Sequence, residues 1–336
     1  MPRVARPRLD RIAWTYVSGL VSALDTRLLP HRATLELLNA DGLQELAPRV
    51  RQTVMFADLP DTSEPFALAE AMQASYAAAV RRIGDSSPSR SVADLFLLPI
   101  EWQAFRGVLR EKALGLERGS VPGSSTPAAV WEQCWGPAEA EAPFELFAQA
   151  AAAIRDAAPR EERTPQLVDT ITQAFEARDL RRAADATGSP ELAGWVHTWL
   201  KLRLALALLR CRLSQWGDAI GPQTIETFGE ARQAALALLT EGRRDWRALF
   251  AALGLPSVQA IPDDEPLPAV AVERLIDDAM TDLCRSGRGV PFGPEPVFTY
   301  LWGLRIEALN LKAIVAGVAA GMSREAIARD IRQTHV

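Results

Sequence analysis

A chain of 336 residues, 48% hydrophobic and 24% charged, has the make-up of a folded globular protein, and its length predicts two or three packing units rather than a disordered or fibrous chain. A net charge of −5 with a pI near 5.5 leaves no surplus of cations for phosphates, which argues against broad nucleic-acid binding. The three cysteines, Cys134, Cys211 and Cys284, are far apart and form no Cys-x-x-Cys pair, so reduced thiols and a cytoplasmic location are expected.

The N-terminal arm, Met1 to Arg8, is basic, but no apolar run or small-residue cleavage site follows it, so it does not read as a secretory signal. Ile12, Tyr16, Gly19, Leu20, Ala23 and Leu24 then recur at three- and four-residue steps, which predicts a helix that buries this stripe and ends at Leu28-Leu29-Pro30. Leu35, Leu37 and Leu38, followed by Leu43, Leu46 and Val50, predict short helices separated by the turn and cap residues Asn39-Ala40-Asp41-Gly42. Alanine-rich windows at Ala67 to Ala79, Phe147 to Ala153 and Ala231 to Ala237 favour helix by propensity alone. Strand-like alternation is scarce, and the expected class is all-α.

Glycine and proline divide the pattern. The strongest break is Glu117 to Pro127; weaker ones fall at Ala219 to Thr224, Ile261 to Pro268 and Ser286 to Pro296. They suggest three helical blocks, at residues 1–118, 127–217 and 225–336. The longest apolar run, Leu202 to Leu209, is interrupted by Arg203, ends at Arg210 and falls short of the roughly 18 consecutive apolar residues of a membrane span.

Two of these blocks close alike. Glu101 precedes Arg106 by five positions and Gly115 by fourteen; Glu307 precedes Lys312 and Gly321 by the same steps, with Asn310 between. Aromatic residues stand before each copy, Phe96 in one and Phe298, Tyr300 and Trp302 in the other. Trp195, His197, Trp199, Lys201, Arg210 and Arg212 form a degraded third copy with lysine at the glutamate position. A glutamate early in such a helix, a basic group later and a terminal glycine also suit the helix dipole and a left-handed cap, but a shared spacing points to a repeated helical unit.

Catalytic motifs are missing. There is no Gly-x-Gly-x-x-Gly, Gly-Lys-Ser/Thr, Gly-x-Ser-x-Gly or His-Glu-x-x-His, and His31, His197 and His335 stand isolated. No cofactor or metal is therefore expected. Asp277, Asp278 and Asp282 on one predicted helix would suit a Mg²⁺-bound diphosphate of a prenyl-type all-α enzyme. No second aspartate-rich helix accompanies them, since Asp263 and Asp264 fall in a proline-rich loop, and a solvated acidic face is the simpler reading. Core packing accounts for most of the nine tryptophans, among them Trp102, Trp199, Trp246 and Trp302.

Gly293 to Trp302, Glu307, Asn310 to Ile314 and Gly317 to Gly321, continued by Met322 to Ile327, resemble the C-terminal signature of the C-type (AC39) subunit of V/A-type (vacuolar/archaeal-type) ATPases, the d-type subunit of vacuolar enzymes. Trp14 to Tyr16, Ala23 to Leu29 and Leu35 to Ala40 are similar to that family's opening helix and turn, with a departure from its Asp-Thr-x-Tyr pattern at Gln52-Thr53-Val54-Met55. The resemblance implies three similar helical bundles arranged as a funnel. It implies a non-catalytic central-stalk protein, a socket that couples rotor shaft subunits of the D/F type to the membrane proteolipid ring and sits peripherally on the cytoplasmic face. Glu101, Arg106, Gly115, Glu307, Asn310, Lys312 and Gly321 are then bundle-forming residues. A generic helical-repeat adaptor is the alternative that periodicity alone allows.

Overall fold

Proline and glycine set where the helices start and stop. The computed structural model describes residues 9–117, 121–136, 144–157, 159, 163–213, 246–261, 267 and 269–335. The basic arm at 1–8, Asp263 and Asp264, the Ala219 to Thr224 break and the alanine run at 231–237 lie outside the described residues. Within them the chain is all-helical, with no strand. Thirteen α-helices appear among the described residues: α1 (Thr15–Asp25), α2 (His31–Glu36), α3 (Leu43–Arg51), α4 (Pro65–Asp85), α5 (Ser91–Leu114), α6 (Ala128–Trp135), α7 (Glu145–Ala157), α8 (Pro165–Ala186), α9 (Pro190–Leu213), α10 (Trp246–Ala252), α11 (Ala269–Ser286), α12 (Pro294–Ala319) and α13 (Arg324–Asp330). They group into two compact units, each drawn from separate stretches of chain.

The first unit comprises Met1–Leu97, Ala183–Trp195 and Arg274–Val336. Its axis is α12, which packs on α1 and α4. Pro294 at the first turn, where a missing N–H costs nothing, starts α12 directly after Gly293. Apolar residues cover nearly every side of it; Phe298 and Trp302 are 1% and 0% exposed, with stacked rings 6.2 Å apart, and Phe96 lies 5.1 Å from Phe298. A helix apolar all round must be enclosed, and here other helices enclose it. Gly321 (φ 67°) closes α12 in the left-handed conformation, and Met322 donates its N–H back to the Gly317 carbonyl at 2.9 Å, so carbonyls of the last turn stay satisfied. Ser323 then caps α13 by accepting the Ala326 N–H at 3.2 Å.

Helix α1 departs from the sequence expectation. Its buried face is Val17, Ser18 and Val21, continued by Trp14 in the 3-10 turn (Ile12–Trp14) that leads into it, whereas Ile12 of that turn is 83% and Tyr16 73% exposed, and Gly19 and Ala23 are exposed as well. Both stripes have helical spacing. Leu28, just after α1, approaches α12 where Gly303 leaves room, since a Cβ there would lie 2.7 Å from Leu28 Cδ1.

The second unit comprises Leu98–Arg182 and Val196–Glu273. Its core gathers Trp102, Phe105, Trp131, Phe147, Ile154 and Phe175. Phe147 stacks on Trp102 at 4.1 Å and meets Phe105 edge-on at 5.3 Å, geometries that add to simple area burial. Trp102, Trp199, Trp246 and Trp302 are all buried, as core packing requires.

Candidate functional site

The two glutamates of the repeated spacing sit inside long helices and do the same mechanical work. In the second unit Glu101 of α5 is 9% exposed; its Oε1 accepts the Ser125 N–H at 2.7 Å and the Ser125 hydroxyl at 2.9 Å, and its Oε2 accepts the Ser124 hydroxyl at 2.6 Å. In the first unit Glu307 of α12 is 6% exposed, and its Oε2 accepts the Leu29 N–H at 2.8 Å. Each carboxyl thus ties down main chain just ahead of a short helix whose N-cap is a proline: Pro30 (φ −63°, ψ 155°) before α2 and Pro127 (φ −59°, ψ 144°) before α6. Proline supplies no N–H and its side chain cannot cap, so an outside acceptor steadies the entry to the helix.

The companion residues diverge. Arg106 pairs with Glu176 and donates from Nε to the Thr172 hydroxyl at 3.0 Å, while Arg203 reaches the same Glu176 at 3.1 Å. Glu176, 3% exposed in its side chain, therefore shares two guanidinium groups. Lys312 instead donates to the Gln73 side chain, and burial, with Arg305 nearby, pulls its ammonium down to about 8. Asn310, fully buried, exchanges two hydrogen bonds with the Arg332 main chain, at 3.0 and 2.8 Å. Gly115 (φ 73°) ends α5 as Gly321 ends α12. The seven residues do not meet at one point. Glu101, Arg106 and Gly115 belong to the second unit; Glu307, Asn310, Lys312 and Gly321 belong to the first.

What the sequence missed is the surrounding of Glu307. It lines a cavity of about 330 Å³ with Leu20, Leu24, Leu28, Tyr300 and Leu304, and Arg27 and Arg82 are exposed beside it. Burial pushes the Glu307 carboxyl up to about 7 against the pull of the Leu29 N–H. Burial and the neighbouring Glu307 push the Tyr300 hydroxyl up to about 12. A Glu and a Tyr seven residues apart lie on one helix face, a signal present in the sequence; the leucines that wall the cavity come from α1, a separate helix that spacing along α12 does not reveal.

Asp277, Asp278 and Asp282 lie on α11, as the sequence suggests, but neither as a metal site nor as a uniformly solvated face. Asp277 is 2% exposed and receives Arg305 at 3.0 Å and Arg332 at 2.6 Å. Asp278 accepts the Gln333 N–H at 2.7 Å, and Asp282, the exposed member, meets Arg285 and the Gln333 side chain at 3.0 Å each. These carboxylates hold α12 and the segment after α13, and arginines occupy the oxygens that a Mg²⁺-bound diphosphate would need. Among the described residues no group of three or more His, Cys, Asp or Glu is placed to hold a metal ion.

A family model described as the ATP synthase (C/AC39) subunit matches residues 17–329. The chain belongs to that family. The match runs through both units, and it makes the protein a non-catalytic stalk subunit of a V/A-type ATPase or ATP synthase, not an enzyme. The magnesium-dependent prenyl reading falls with it. No curated protein matches the chain. Members of the family are peripheral to the membrane within the ATPase complex. The stretch Pro190–Arg210 of α9 is long and apolar enough to span a bilayer, with mean hydropathy 1.2, yet 72% of that window is buried inside the protein.

Proposed function

We propose that this stalk protein is the socket of the rotor: a non-catalytic coupling that joins the D/F-type shaft subunits to the membrane proteolipid ring on the cytoplasmic side. In this reading the blocks at 1–118, 127–217 and 225–336 are three similar helical bundles arranged as a funnel, with the shaft in its mouth. The observation that carries the reading is the family match across residues 17–329. Physical support comes from the build of each unit. A torque-bearing coupling needs stiff, well-packed helices, and aromatic cores around Trp102 and Trp302 together with buried ties such as Glu101 to Ser125 and Asp277 to Arg332 are of that kind. In the proposed role Glu101, Arg106, Gly115, Glu307, Asn310, Lys312 and Gly321 build the bundles rather than touch a substrate.

The test is isolation of the tagged protein from its own membranes with mass spectrometry of what co-purifies. Recovery of both the shaft subunits and the proteolipid supports the socket. Unrelated soluble proteins in their place would favour a helical-repeat adaptor and overturn it.

A further inference from the structure

Helix α1 carries two apolar stripes and buries only one. Trp14, Val17 and Val21 enter the core of the first unit, while Ile12, Tyr16, Gly19, Leu20, Ala23 and Leu24 form the second stripe, with Ile12 83% and Tyr16 73% exposed, Gly19 and Ala23 exposed, and Leu20 and Leu24 half-buried. Single exposed apolar residues are ordinary; a continuous stripe with helical spacing marks a surface made to be covered. Within α1, from Tyr16 to Leu24, it runs about 12 Å at 1.5 Å per residue, and Ile12, in the 3-10 turn just ahead of the helix, extends it at one end, enough for two to three turns of a helix laid beside it.

The stripe ends in the Glu307 cavity, whose wall includes Leu20, Leu24 and Leu28. Glu307 and Tyr300, 6% and 7% exposed, form its base, and Arg27 and Arg82 its rim. Two features there await a counterpart. Neither rim guanidinium forms an ion pair among the described residues, and a pair of unmatched cations beside an apolar hole is complementary to carboxylates. At the base, Glu307 has a single hydrogen-bond donor, the Leu29 N–H, although a carboxyl can serve several, and the Tyr300 hydroxyl has no partner among the described residues. An entering side chain that is apolar along its length and hydrogen-bonds at its tip would satisfy both.

We propose that the outer stripe of α1 and the Glu307 cavity together dock an acidic amphipathic helix of the rotor shaft. Apolar residues of that helix lie along Ile12, Tyr16 and Ala23, one side chain enters the cavity, and its acidic residues meet Arg27 and Arg82. A helix is favoured over a loop because the residues of the stripe recur at three- and four-residue steps along α1. This inference rests on the socket reading and names the surface that reading leaves unassigned.

The test measures binding of the purified full-length protein to the purified D/F-type shaft pair from the same complex, with the detergent-solubilised proteolipid ring as a second ligand. The variants are Tyr16→Asp and the double reversal Arg27→Glu with Arg82→Glu, all at exposed positions, with melting curves to confirm an unchanged fold. Each should weaken shaft binding by about tenfold or more, as loss of a buried anchor or a matched charge does, and leave ring binding as it was. Wild-type affinity for the shaft in both variants would overturn the docking surface and leave the socket reading standing. Loss of ring binding with shaft binding intact would overturn the choice of occupant. A wild-type protein that binds no shaft would defeat the socket reading and this inference with it.

Discussion

Replacing Glu307 by glutamine should stabilise the protein strongly at alkaline pH and only slightly at pH 5. In the fold this carboxyl ionises near 7 because burial disfavours its charge, against 4.5 for a free glutamate. The sign follows from counting protons. Between pH 4.5 and about 7 the unfolded chain has released the proton and the folded chain retains it, so stability falls as pH rises through that window and stays low above it. At 1.36 kcal/mol for each pH unit the complete window is worth about 3 kcal/mol at pH 8, somewhat less where water in the cavity screens the charge. Glutamine removes the charge and keeps an oxygen for the Leu29 N–H, so it should recover most of that loss. Urea and thermal unfolding of both proteins at pH 5 and pH 8 measure it, and comparing variants at one pH cancels the contributions of Asp179 and Asp278, whose carboxyls burial also raises. An equal difference at the two pH values, or a glutamine variant less stable at pH 8, would refute the reasoning. Glu307→Ala separates charge from tie: it abandons the Leu29 N–H and should lower the melting temperature at pH 5, whereas unchanged melting with lost shaft binding would make Glu307 an interface residue.

Other substitutions probe the remaining members of the repeated helices. Arg106→Ala leaves the buried Glu176 with Arg203 alone and should destabilise by about 3 kcal/mol in chemical denaturation, the usual result of stripping one partner from a buried ion pair. Gly115→Ala and Gly321→Ala each force a side chain into a left-handed conformation and should cost about 1 kcal/mol, seen as a lower denaturation midpoint with no change in slope. Lys312→Met should raise the melting temperature at pH 7. Burial holds that ammonium near 8 in the fold against 10.5 when free, so the native lysine gains stability as pH rises from about 8 to 10.5, and the advantage of methionine should shrink over that interval.

Much of the architecture is legible in the sequence because it is encoded locally. Alanine-rich windows mark α4 and α7, Pro294 starts α12, Gly321 ends it, and Ser323 caps the helix that follows, all short-range effects of propensity and backbone geometry. Orientation is not encoded that way. Helix α1 is apolar on two faces, and the longer stripe in sequence, Ile12 to Leu24, is the one left partly or fully outside, whereas the buried stripe includes the polar Ser18. Periodicity says that a face exists and not which face meets the core. Asp277 shows the same limit for charges. Its partners, Arg305 and Arg332, are 28 and 55 residues away, so three acidic residues on one helix read as a water-facing cluster although the first is buried between guanidinium groups.

The repeated glutamate shows how one scaffold element can be a finished tie in one unit and an unfinished one in the other. Ser124 and Ser125 give Glu101 two hydroxyls and an N–H, which occupy both carboxylate oxygens. The segment beside Glu307, Leu28 and Leu29, has no hydroxyl, and one main-chain N–H is the hydrogen bond it gives. Leucines beside Glu307 offer no side-chain hydrogen bond, and Leu28 with Leu20 and Leu24 walls an apolar hollow next to a carboxyl that resists ionisation. A buried polar group kept short of partners costs stability unless something outside the fold supplies the rest. Glu101 and Glu307 thus share a place in their helices and differ in their donors, and the carboxyl with the fewer donors is the one that lines a cavity at the end of an uncovered helix face.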